Sequence, residues 1–131
     1  MKTMLYSALA LAFILTGTAC DSSATRGPAG KKLSLTKPSN QTLKRGEVNE
    51  IAISISRENF DGPVKVKFQK LPKGVEVVEL KDIPANQTRA VYTLHASNDA
   101  DIVENFESTV TVEGPDGMAT TENFQVSIRD K

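Results

Sequence analysis

The chain has 131 residues, with 16 basic and 16 acidic side chains, one histidine, one cysteine and no tryptophan. The two signs of charge are interspersed, which excludes the basic face that nucleic-acid binding requires. One histidine and one cysteine cannot build a zinc cluster, so no metal cofactor of that kind is expected.

The first predicted element is an export signal. Lys2 precedes residues 4–15 (MLYSALALAFIL), which carry no charge. That run is too short to cross a bilayer as a helix, which takes about 20 apolar residues. It has the length of the apolar region of a secretory signal. Thr16-Gly17-Thr18-Ala19 supplies the small residues a signal peptidase needs, and Cys20 follows. The arrangement resembles the lipobox of bacterial lipoproteins, whose cysteine thiol is acylated and becomes the mature N-terminus. It departs from the usual pattern at Gly17, where the family prefers leucine; Leu15 lies two residues earlier. Cleavage after Ala19 or Gly17 without lipid is the alternative. The resemblance implies a signal peptide over 1–19, palmitate-type acylation of Cys20, and a membrane partner reached through that lipid. It places the protein in the bacterial cell envelope. Several acyl chains give the firm anchoring that a single chain does not.

Loss of residues 1–19 removes one base, Lys2, and no acid, leaving 15 basic and 16 acidic residues, a net charge of −1. Residues 21–32 (DSSATRGPAGKK) are small and polar, so 20–32 is expected to be a flexible tether. Residues 33–131 then form the single domain. It has no disulfide, so its stability must come from apolar packing.

Period-two alternation recurs from residue 32 onward, the signature of half-buried strands. Lys32–Thr36 alternates first. Ile51–Ser56 places three isoleucines on one face. Val64–Phe68 sets its lysines outward, and Val75–Leu80 is shorter and less regular. Ala90–Ala96 puts Ala90, Tyr92, Leu94 and Ala96 on one side. Phe106–Val112 and Phe124–Arg129 alternate again, the last strand beginning near Met118. Turn residues separate these runs, including Arg45-Gly46, Asp61-Gly62-Pro63, Pro72-Lys73-Gly74 and Gly114-Pro115-Asp116-Gly117. The last of these joins the final two strands as a hairpin. About seven short strands, each with one apolar face, require a second sheet to cover that face. An all-β, two-layer antiparallel sandwich is the expected fold, and a short β-barrel is the alternative.

Leu43-Lys44-Arg45-Gly46, Phe60-Asp61-Gly62-Pro63-Val64, Leu71-Pro72-Lys73-Gly74-Val75 and Ile83-Pro84-Ala85-Asn86-Gln87-Thr88 occur in that order. This set resembles the immunoglobulin-like sandwich domains of bacterial envelope and secreted proteins, over about Leu33 to Arg129. The chain differs from antibody domains in having neither the cysteine pair nor the core tryptophan. The resemblance implies a fold and a location; the family shares no one activity.

The remaining chemistry is sparse. His95 falls on the outward side of its strand, and no Gly-x-Ser-x-Gly marks a nucleophile, so no catalytic residue is assigned. The carboxylates, Glu107 and Glu113 among them, lie on outward strand positions or in loops, where charge protects strand edges. Ser97–Glu104 offers oxygens, and Asp99 and Asp101 are weak calcium candidates; the segment lacks the glycine and length of an EF-hand loop. Four phenylalanines and one tyrosine after residue 19, mostly facing inward, do not make an aromatic platform for sugars. Asn40-Gln41-Thr42 and Asn86-Gln87-Thr88 match the glycosylation pattern, but turn formation is the simpler account. The expectation is a non-enzymatic, tethered monomer without cofactor, contacting an envelope protein or serving a structural role. A ligand-binding module for polysaccharide or calcium is the alternative.

Overall fold

The computed structural model describes residues 22–131. The signal segment and Cys20 lie outside the described residues. Nine strands form two sheets: β1 (Ser22–Arg26), β2 (Lys32–Thr36), β3 (Gln41–Lys44), β4 (Val48–Glu58), β5 (Lys65–Gln69), β6 (Val75–Val77), β7 (Arg89–Ala96), β8 (Val103–Glu113) and β9 (Ala119–Arg129). One sheet runs β1-β2-β4-β7-β6 and the other β3-β9-β8-β5. If β2, β4, β5, β6, β7, β8 and β9 are lettered A to G, the sheets read A-B-E-D and C-F-G. That is the immunoglobulin arrangement, so the fold is an immunoglobulin-like β-sandwich.

The alternation read from the sequence determines which residues meet between the sheets. Leu33, Leu35, Ile51, Ile53, Ile55, Tyr92 and Leu94 face Val66, Val110, Val112, Phe124, Val126 and Ile128 in one core. Tyr92 on the first sheet packs edge-to-face on Phe68 of the second, with centroids 5.5 Å apart, and Phe68 packs edge-to-face on Phe124 at 6.2 Å. These rings fill the core without the disulfide and tryptophan of antibody domains. The Tyr92 hydroxyl donates to the Lys81 carbonyl at 2.7 Å, so its polar end is satisfied. Burial pushes the Tyr92 hydroxyl up to about 12, and the nearby charge of Asp82 adds to this.

Two strands were not expected. β3 is four residues long and runs parallel to β9, from Gln41 beside Val126 to Lys44 beside Arg129. One of its two inward positions is Gln41, a polar residue that hides the alternation. Its side chain is satisfied by the Ser39 carbonyl and by Asn49. Asn40 just before it accepts from the Gln125 amide at 3.0 Å, which ties the crossover between sheets to β9.

The other is β1, and it corrects the reading of 20–32 as a flexible tether. Residues 22–26 pair antiparallel with β2, from Ser22 beside Thr36 to Arg26 beside Lys32. Small polar residues do not bury apolar surface, but backbone pairing needs none. The domain therefore begins at least eleven residues before position 33. In the other direction, β6 ends at Val77, leaving Val78 and Leu80 exposed.

Candidate functional site

The β1–β2 turn and the β8–β9 turn have the same sequence frame, Gly27-Pro28-Ala29-Gly30 and Gly114-Pro115-Asp116-Gly117. They also have the same backbone. Ala29 and Asp116 both adopt φ of 60°, and Gly30 and Gly117 both adopt φ of 75°. The Gly27 amide donates to the Lys31 carbonyl, and Gly114 donates to Met118 in the same way. Left-handed backbone at two successive positions explains the glycine at the second of them.

The two turns lie side by side at one end of the sandwich. Lys31 Nζ and Asp116 Oδ2 form an ion pair at 2.6 Å. Met118 packs so closely on Gly27 that a Cβ there would approach its sulfur to 2.8 Å. Asn59 Nδ2 donates to the Gly30 carbonyl at 2.7 Å. The turn that carries the chain into the fold is thus fixed on three sides. From it β1 runs back along the edge of the sheet, and Ser22 lies two residues after Cys20.

An open groove of about 360 Å³ lies at this same end, lined by Gly62, Pro63, Lys65, Asp82, Glu113, Gly114 and Pro115. Glu113 is paired with Lys67 at 3.1 Å. Beside the groove, Arg57 is a feature that no sequence motif announces. Its guanidinium donates to the carbonyls of Gly62, Pro84, Gln87 and Ile83. Burial lowers the Arg57 value, and Asp61 works against that. The side chain thereby joins the loop after β4 to the loop before β7. A planar fork of donors suits this role. Three of the four acceptors lie 26 to 30 residues away, which leaves no local signal of it.

The calcium candidates lie in the loop between β7 and β8, at the opposite end. Asp99 accepts from the Ser97 hydroxyl at 2.8 Å. That bond holds its carboxyl below the usual range, helped by a backbone hydrogen bond and by Lys73 and Arg45. Asp101 donates its amide to the Lys73 carbonyl. Ala100 between them is buried, and its carbonyl accepts from Arg45 Nε at 2.8 Å. A Cβ at Gly74, where φ is 90°, would lie 2.7 Å from the Ala100 backbone. Packing thus accounts for the loop. Among the described residues, no group of three or more His, Cys, Asp or Glu converges as a metal site.

His95 stands on the outer face of β7, flanked by Val48 of β4 and Glu76 of β6. β7 is the fourth of the five strands, so His95 lies one strand in from the sheet edge formed by β6. Of the aromatics, Phe60, Phe68, Tyr92 and Phe124 belong to the core or pack against it, and Phe106 is 39% exposed. Phe106 follows a β-bulge between Val103 and Phe106, where Asn105 adopts φ of 54°.

No protein-family model matches the sequence, and no curated protein matches it. Among solved structures, the chain is similar to titin domains. A titin M10 complex with an obscurin-like 1 immunoglobulin domain is 14% identical, with a TM-score of 0.48, covering 78% of this chain and 98% of that one. A chimeric titin Z1Z2 carrying a decorin peptide is 16% identical, with a TM-score of 0.45, covering 76% and 95%. The titin M3 domain is 14% identical, with a TM-score of 0.43, covering 74% and 96%.

Proposed function

We propose that this chain is a non-enzymatic bacterial lipoprotein, held to an envelope membrane by acyl chains on Cys20, whose immunoglobulin-like domain contacts another envelope protein or serves as a structural element. Support comes first from the order of segments. An uncharged run of twelve residues, a stretch of small residues and the chain's one cysteine stand immediately ahead of a β-sandwich. The thiol has no second cysteine to pair with, and acylation gives it a role.

Intact-mass measurement of the mature protein from its native membrane tests the anchor. The expected mass is that of a chain beginning at Cys20 plus its acyl chains, with the addition lost in Cys20→Ser. A chain of unmodified mass overturns lipidation. Crosslinking followed by recovery from solubilised membranes tests the interaction role. A specific envelope protein is expected; recovery of none under several crosslinkers counts against it.

A further inference from the structure

We propose that β1 is a releasable strand that sets the distance between the domain and its anchor. Its functional meaning rests on the proposed lipidation of Cys20.

The two ends of β1 are held very differently. At the Gly27 end stand the three contacts of the turn: Met118 against Gly27, Lys31 with Asp116, and Asn59 with Gly30. At the Ser22 end the strand buries no residue, its side chains alternating between exposed and half-exposed. Its one side-chain hydrogen bond among the described residues comes from Thr120 Oγ1 to Ser23 Oγ at 2.6 Å. Backbone pairing with β2 supplies the rest, and the entropy of fixing five residues opposes it. Such a strand opens from its free end while the turn stays in place as the hinge.

Opening changes the reach of the chain. With β1 paired, Cys20 lies at most about 7 Å from Ser22 at the sheet edge, two residues of extended chain. With β1 released, the seven residues from Cys20 to Gly27 span up to roughly 25 Å. The paired state keeps the β1 edge against the membrane surface. The released state lets the domain stand away from it, held at the end where the two turns meet. Release also uncovers the edge of β2, whose Leu33 and Leu35 remain in the core.

Hydrogen exchange on the full mature protein in liposomes tests the release. Amides of 22–26 are expected to exchange at least about 100-fold faster than those of 51–55, through local opening. Equal rates in the two segments would overturn the proposal. The double variant Ala24→Pro with Thr25→Pro removes one donor to β2, since successive amides of a strand point to opposite edges. It is expected to leave protection of β4 and β7 unchanged; loss of protection throughout would show that β1 is integral and overturn release. Energy transfer from a dye on Glu107→Cys to an acceptor in the bilayer is expected to fall in that double variant. Unchanged transfer overturns the control of distance. Intact mass of the same sample reads the lipid separately, so failure of anchoring and failure of release are distinguishable.

Discussion

The β1–β2 and β8–β9 hairpins share one turn and differ in everything attached to it. Around Gly114–Gly117, β8 and β9 are eleven residues each, and β9 buries Phe124, Val126 and Ile128. Around Gly27–Gly30, the arms are five residues each, and β1 buries nothing. The same turn thus serves a hairpin whose two arms both build the core and one whose first arm only lines an edge. Turn chemistry dictates that the chain reverses; the side chains that follow dictate how firmly the reversal is held.

That contrast can be broken at its strong side first. Phe124→Ala removes a fully buried ring that packs against Phe68. It is expected to cost about 3–5 kcal/mol in urea unfolding. A comparable cost from Ser23→Ala would erase the distinction between the two hairpins.

Alkali tests the same core. The Tyr92 value is pushed from 10.0 up to about 12 in the fold, chiefly by burial. A raised value means that the folded state keeps its proton longer than the unfolded chain does. The resulting stability is full below pH 10 and is lost as pH rises from there through about 12. Melting temperature should fall across that window, and Tyr92→Phe should flatten the fall. An unchanged slope in that variant would show that other groups control it.

The matched turn glycines sharpen the comparison. Gly117→Ala places a side chain at φ of 75° and is expected to cost about 1–2 kcal/mol. Gly30→Ala meets the same φ, and its Cβ would stand 3.0 Å from Asn59 Nδ2, so it is expected to cost at least as much. Chemical denaturation of both variants decides this. A smaller cost for Gly30→Ala would mean that the β1–β2 turn is held less firmly than the β8–β9 turn. The smallest effect belongs to the ion pair between the turns. Lys31→Ala is expected to cost about 0–1 kcal/mol, fading as salt is added.

Much of the sandwich is legible in the sequence because isoleucine, leucine and valine fall on alternate positions in β2, β4, β8 and β9. The final hairpin is legible from Gly114-Pro115-Asp116-Gly117. The same frame at Gly27-Pro28-Ala29-Gly30 is harder to read as a hairpin turn, since its flanks, SSATR and KKLSL, offer little apolar alternation. The internal repeat of Gly-Pro-x-Gly was the available signal. β3 escaped because Gln41 occupies an inward position, and Arg57 because its acceptors are backbone carbonyls gathered by folding. The Asp99 and Asp101 segment is legible as a loop, but its use is decided by Ala100 packing beneath Gly74, a contact between distant segments.

The chain has two tyrosines, at positions 6 and 92, and no tryptophan. In a chain that begins at Cys20, Tyr92 is therefore the only strong ultraviolet chromophore. It sits on one sheet against Phe68 of the other. Its near-ultraviolet dichroism and its emission report whether the two layers have closed on each other. Folding of the sandwich can thus be followed by light from a single native side chain, without any label.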